Sequence, residues 1–331
     1  MRYRKLGRSD LTVSVVAMGC WAIVGDQTWG PQDESDTLAA FDAAMDAGIN
    51  FFDTAEGYGS GYSEQLLGRA LRHRRAEAVI ATKAVGDHLR PEQLEAACDA
   101  SLDRLGTDYI DLYQVHWPLR DIPLADTLGA MEMLRNKGKV RAVGVSNFGP
   151  RDMDEALAGH RFESNQMSYS LLARGVEFEV IPRCAEHEIS LLAYSPLAQG
   201  LLTGKFASAD EVPVGRARTR HFAGSREQAR HGEPGCEQAT FEAIAGIRRV
   251  ADRLEVSMAD LSLAWVLAQP AVASVLAGAR NPRQVRENAT AADLDLDEPT
   301  LQELDQITQP VKNALGPNID LWCGGDDSRI R

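Results

Sequence analysis

The chain has 331 residues, 44% hydrophobic and 25% charged, which is enough apolar material for one large or two ordinary domains with a core. Lys plus Arg number 35 against 48 for Asp plus Glu, and the net charge of −13 argues against unspecific attraction to nucleic acid or acidic lipid. The five cysteines (Cys20, Cys98, Cys184, Cys236, Cys323) are odd in number, far apart and without a C-x-x-C pair, so neither zinc nor a dithiol couple is expected.

Free thiols in a reducing cytoplasm are the expectation, and Met1 to Lys5 lack the apolar core of a signal peptide. Segments 3–6 and 11–13 flank Gly7-Arg8-Ser9-Asp10 and predict a hairpin covering one end of the fold. Short apolar runs then alternate with runs of helical period. Strands are predicted at 15–18, 49–53, 78–83, 109–116, 140–146, 162–168, 189–195 and 272–278, and helices at 33–47, 63–72, 91–105, 124–136, 150–158, 176–187 and 238–254. Eight strands separated by helices imply a parallel sheet, and eight such units without a linker fit closure into a (β/α)8 TIM barrel. The chain is expected to form one domain over 1–331.

Residues 261–279 carry no charge and approach the length of a membrane span, but Gln269-Pro270 splits them into a helix and a strand, so no membrane partner is expected. Segment 196–235, after the seventh strand, is long for a connection inside a compact domain. Its Arg216, Arg218, Arg220 and His221 suggest a lid over an anion, with a solvated excursion as the alternative. Asn281-Pro282 reads as a helix N-cap followed by proline at the first helical position, and Arg280 just before it opposes the helix dipole unless an anion binds there. After Pro310 there is little periodicity. The tail 311–331 carries Trp322 and is expected to fold back as a cap.

Three consecutive strands stop at ionisable residues: Asp53, Lys83 and His116. Tyr58, between Gly57 and Gly59, follows the first of them. In a barrel these four meet at the C-terminal face. An ammonium beside a phenol favours the phenolate, so Lys83 would lower the Tyr58 pKa, Asp53 would hold Lys83, and His116 would polarise a carbonyl. Taken singly, each also has an ordinary structural use as ion pair, core histidine or rim residue. Gly57-Tyr58-Gly59-Ser60-Gly61 is not a dinucleotide fingerprint, because its third glycine is misplaced.

Asp53-Thr54-Ala55-x-x-Tyr58-Gly59, Ala81-Thr82-Lys83 and Gln114-x-His116 resemble the catalytic segments of the aldo-keto reductases, which are NADP(H)-dependent (β/α)8 enzymes. The likeness extends through Gly144-Val145-Ser146-Asn147-Phe148, Asn165-Gln166, the stretch from Tyr194 to Lys205, and Gly278-Ala279-Arg280-x-x-x-Gln284-x-x-Glu287-Asn288. It is similar to the bacterial branch that also includes the potassium-channel β subunits.

The resemblance implies Tyr58 as general acid, Lys83 and Asp53 as its tuning pair, and His116 as the group orienting the carbonyl. It implies Ser146, Asn147 and Gln166 at the nicotinamide carboxamide, and Tyr194 stacked on that ring. Ser195, Leu197, Gln199 and Gly200 would follow the pyrophosphate under the 196–235 loop. Gly278, Arg280, Gln284 and Asn288 would surround the adenosine end, with Arg280 at the 2′-phosphate, so NADPH is expected over NADH. Trp21, Trp29 and Trp117 either line an aromatic substrate pocket or simply pack, and Trp322 joins them as a candidate; Trp265 is expected to be packing. Substrates would be small aldehydes, ketones or sugar-like carbonyls, with no nucleic-acid partner, no metal, and an open oligomeric state. Two other classes stay open: a nicotinamide-binding regulatory subunit, and a Schiff-base aldolase using Lys83.

Overall fold

The computed structural model describes residues 1–26 and 28–331; Gln27, within the loop 24–29 that follows no usable family pattern, lies outside them. Strands β1 (Tyr3–Lys5) and β2 (Thr12–Ser14) pair antiparallel as the expected hairpin. Eight further strands are β3 (Val16–Gly19), β4 (Phe51–Asp53), β5 (Val79–Ala84), β6 (Ile110–Val115), β7 (Val140–Ser146), β8 (Ser164–Ser168), β9 (Ser190–Tyr194) and β10 (Val272–Gly278). They close into a parallel barrel in sequential order, with β10 beside β3. The helices are α1 (Glu34–Asp46), α2 (Tyr62–Leu71), α3 (Pro91–Leu105), α4 (Leu124–Asn136), α5 (Pro150–Leu157), α6 (Val180–His187), α7 (Glu237–Arg253), α8 (Met258–Leu267), α9 (Pro282–Thr290) and α10 (Glu298–Leu315).

The period of two along each strand divides the core. Phe51, Val79, Ala81, Leu112, Ala142 and Leu192 point into the barrel and pack with Leu6, Leu11 and Val13 of the hairpin, which plugs the bottom. Their neighbours Phe52, Ile80, Tyr113, Val143 and Leu191 point outward into the larger core under the helices. Following the inward positions upward leads from Phe51 to Asp53, from Ala81 to Lys83, and from Leu112 through Gln114 to His116. The apolar plug therefore gives way to ionisable groups at the top of the same face, where barrel active sites are built.

Side chains cap the N-termini of α1 and α9, the second as expected. Asp33 caps α1 by accepting from the Ser35 and Asp36 amides, and Asn281 caps α9 by accepting from Gln284. Little periodicity is visible in sequence after Pro310, yet α10 runs through Pro310 to Leu315. An interior proline costs about 3 kcal/mol. Leu304, Val311 and Leu315 lie on one helical face and are all buried, and at about 1.5–3 kcal/mol each that burial offsets the cost. Segment 196–235 contains only 3₁₀ turns, at Ala198–Thr203 and Ala209–Glu211. No helix among the described residues is long and apolar enough to cross a membrane.

Candidate active site

Lys83 lies inside β5 rather than at its end, and its side chain is fully buried. Its ammonium donates to Asp53 Oδ1 at 2.6 Å, to the Thr54 carbonyl at 2.8 Å and to the Tyr58 hydroxyl at 3.3 Å. Burial works against the charged lysine, but Asp53 and Tyr58 oppose it and the Lys83 pKa is raised. The other Asp53 oxygen accepts from Gln166 Nε2 at 2.7 Å and, more distantly, from Gln114 Nε2 at 3.4 Å. Each partner thus stabilises the charge of the next.

The expectation for Tyr58 needs correcting. Burial raises its pKa and outweighs the Lys83 charge that lowers it, so the hydroxyl lies above its ordinary value. The ammonium limits a rise that burial alone would make larger. His116 follows β6 and meets the Tyr58 ring edge-on, with centroids 5.8 Å apart. Burial and then the Lys83 charge push its pKa down to about 3, which keeps the imidazole neutral. Its Nδ1 is buried without a partner.

A cavity of about 1310 Å³ opens above this group, lined by Asp53, Tyr58 and His116. Ser146, Asn147, Gln166, Tyr194, Ser195, Leu197, Gln199, Gly200, Gly278, Arg280, Gln284 and Asn288 also line it, as do Trp21, Trp29 and Trp117. Lys83 stands behind Asp53 and Tyr58. The Ser146 hydroxyl donates to the Gln166 carbonyl at 3.0 Å, the Asn147 amide to the His116 carbonyl at 3.0 Å, and the Tyr194 hydroxyl to Asn147 Oδ1 at 2.8 Å. Asn147, Ser195 and Gln199 have positive φ of 62°, 50° and 54°. Such strain in non-glycine residues clusters at functional sites, and here all three face one cavity.

The four basic residues of segment 196–235 do not act alike. Arg220 donates to Glu233 at 2.8 Å and to the carbonyls of Leu315 and Asn318, and His221 is buried, donating to the Leu172 carbonyl at 2.8 Å; both hold the segment down. Arg216 and Arg218 line the cavity with Lys205 and Arg230, and among the described residues none of these four has a salt-bridge partner. The Nε groups of Arg216 and Arg218 and the amide of Gln199 are buried without hydrogen-bond partners. Burial, then neighbouring cations, lowers the pKa of Lys205 and Arg216. The alternation at 216, 218 and 220 in sequence gave no sign of which would turn inward.

Arg280, expected at the cofactor's 2′-phosphate, lines the cavity and is already engaged by protein acceptors. Its guanidinium donates to Gln32 Oε1 at 2.6 Å, to the Trp29 carbonyl at 2.8 Å and to the Pro31 carbonyl, tying the loop after β3 to the segment that follows β10. Arg216 lies over the Trp29 ring, 5.1 Å from its centroid. At the other end Trp21 stacks on Tyr58 at 6.3 Å, and Trp322 stacks on Tyr194 at 6.3 Å and meets Trp117 edge-on at 6.4 Å. Trp265 is fully buried beneath Arg174 and Tyr169, so it is packing. Sequence reasoning placed Gln114, which lies beside Asp53, and Lys205 within motifs without giving them a role, and it passed over Arg230 and Arg329, the last of which enters the cavity from the tail.

Residues 15–309 match the model of the Aldo/keto reductase family. The chain is 35% identical over 319 residues to an Escherichia coli protein described as an NADH-specific methylglyoxal reductase, covering 89% of this chain and 95% of that one. It is 31% identical to a probable voltage-gated potassium channel subunit beta of Arabidopsis thaliana, over 93% of this chain and 97% of the relative. An aldo/keto reductase from Klebsiella pneumoniae, solved in complex with NADP and acetate, superposes with a TM-score of 0.73 at 30% identity, over 92% of this chain and 95% of that one. The chain belongs to the aldo/keto reductase family and is an oxidoreductase acting on carbonyl groups with a nicotinamide cofactor.

Proposed function

We propose that the protein is an NADPH-dependent carbonyl reductase in which Tyr58 is the proton donor. The observation that carries this is the buried chain from Gln166 through Asp53 and Lys83 to the Tyr58 hydroxyl, which opens on the cavity beside a neutral His116. The bound cofactor supplies hydride to the carbonyl carbon. Tyr58 gives its proton to the carbonyl oxygen as negative charge develops there, and Lys83 stabilises the phenolate left behind. His116, with no side-chain partner among the described residues, is available to donate a second hydrogen bond to that oxygen. The reverse sequence oxidises an alcohol.

The unpaired Lys205, Arg216 and Arg218 and the unsatisfied Gln199 amide fit the phosphates of a dinucleotide, with Ser146, Asn147 and Gln166 at the carboxamide end. Segment 196–235 would cover it. The number of cations in the cleft, and the NADP in the Klebsiella neighbour, favour NADPH; the description of the Escherichia coli relative is the counterweight. Lys83 is a poor Schiff-base nucleophile, because its ammonium is buried, engaged three times and raised in pKa. Five unpaired thiols suit the reducing cytoplasm in which we place the protein.

The test is fluorescence titration with NADPH and NADH, then loss of nicotinamide absorbance on adding a reactive aromatic aldehyde. Tight binding with turnover that Tyr58→Phe abolishes is expected. Turnover retained in Tyr58→Phe would remove that residue from the mechanism. Tight binding without turnover would favour the second reading, a regulatory subunit whose output is its binding state, which the likeness to the probable channel subunit supports.

A further inference from the structure

The tail after α10 returns across the mouth of the barrel and is fixed by buried acids. Asp152, at the start of α5, pairs with Arg120, which also donates to the Arg329 carbonyl. Asp320 is fully buried and accepts from the backbone amides of Trp322, Cys323 and Arg329 at 3.0, 3.2 and 3.1 Å. It also takes the Nε and one Nη2 hydrogen of Arg329, both at 2.9 Å. Arg329 and Asp320 thus form a two-point ion pair, and the three amides that share the carboxylate fix the orientation of the guanidinium. Its Nη1 group and the second Nη2 hydrogen have no partner among the described residues and form an open donor edge.

That guanidinium lies on the Trp117 ring, 3.8 Å from the centroid, and 6.0 Å from that of Trp322. Trp117 adjoins His116, and Trp322 stacks on Tyr194. Arg329 therefore lines the carbonyl end of the cavity, away from the cations around Arg216. A fixed, forked cation between two aromatic walls matches a carboxylate on a flat or short carbon frame. We propose that Arg329 is a specificity-determining residue and that the preferred substrates are aldehydes or ketones carrying a carboxylate. The proposal rests on the reductase reading above.

The test compares 4-formylbenzoate with its methyl ester, at saturating NADPH, in the wild type, Arg329→Lys and Arg329→Met. The wild type should favour the acid by about tenfold or more in kcat/KM, mainly through a lower KM, and the preference should weaken as salt is added. Arg329→Met should bring the ratio to about one, and Arg329→Lys, which keeps the charge and loses the fork, should fall between. A wild-type ratio at or below one, or a ratio that survives Arg329→Met, overturns the proposal. If Arg329→Met does not fold, the wild-type ratio and its salt dependence decide, and a preference indifferent to salt overturns it. Absence of turnover on both compounds would instead overturn the reductase reading, and this proposal with it.

Discussion

Exchanging the members of the Asp53–Lys83 pair separates what they do for the fold from what they do for chemistry. Lys83→Met keeps the volume but leaves the Asp53 carboxylate buried, with the Gln166 and Gln114 amides its remaining side-chain donors among the described residues. Breaking a buried pair from one side costs about 3–5 kcal/mol, a large share of the roughly 5–15 kcal/mol that holds a typical protein together. Adding Asp53→Asn removes the stranded charge, so the double variant should recover most of that loss. Turnover should behave otherwise. With an effective dielectric of about 20, an ammonium 3.3 Å from the phenolic oxygen stabilises the phenolate by about 5 kcal/mol before opposing terms are counted. With the proton half transferred, about half of this enters the barrier, roughly a hundredfold in rate. Guanidinium unfolding and single-turnover hydride transfer would be measured on the wild type, both single variants and the double. Stability that recovers in the double while the rate stays low is the expected pattern. A double variant as unstable as Lys83→Met would refute the stranded-charge argument, and one that regains turnover would refute the tuning role of Lys83.

Because His116 is pushed down to about 3 and Tyr58 is raised, kcat/KM for reduction should be flat between about pH 5 and 9, whereas an inflection near 6.5 would mean that His116 titrates in the working range. His221, held neutral by burial at about 4, contributes stability that is complete above 6.5 and is lost as pH falls from 6.5 toward 4, about 3 kcal/mol in all; denaturation across that window should show a shallower slope in His221→Gln, and an unchanged slope would exclude the residue. Gly68→Ala improves helix propensity by about 1 kcal/mol but drives a methyl group into the Leu105 carbonyl of the neighbouring helix, so a lowered melting temperature is expected and a raised one would show that α2 and α3 can separate freely. Arg280→Ala should raise the KM for NADPH far more than for NADH, and equal increases would mean that Arg280 serves only to tie the loop after β3.

The barrel was legible because its signals are local. Phe51 and Phe52, or Leu112 and Tyr113, are side-by-side apolar residues that make sense only in a strand buried on both faces. The positions of Asp53, Lys83 and His116 follow from carrying the same period of two to the top of each strand. Helix α10 was missed because little helical period is visible around Pro310, while the burial that overrides that proline depends on contacts made only in the folded chain. The return of the tail as a cap was expected from Trp322, but its side-chain contacts were not readable. Nothing near Arg329 in sequence shows that Asp320 will orient it or that Trp117 will lie beneath it, since those contacts exist only once the chain has closed over the barrel. Arg280 shows the converse: its position before an N-cap was readable, but its binding to the loop of Trp29 and Gln32 was not. Strand period thus locates the groups proposed to carry out the reaction, whereas the groups proposed to select substrate and cofactor come from returning segments, whose positions depend on long-range contacts.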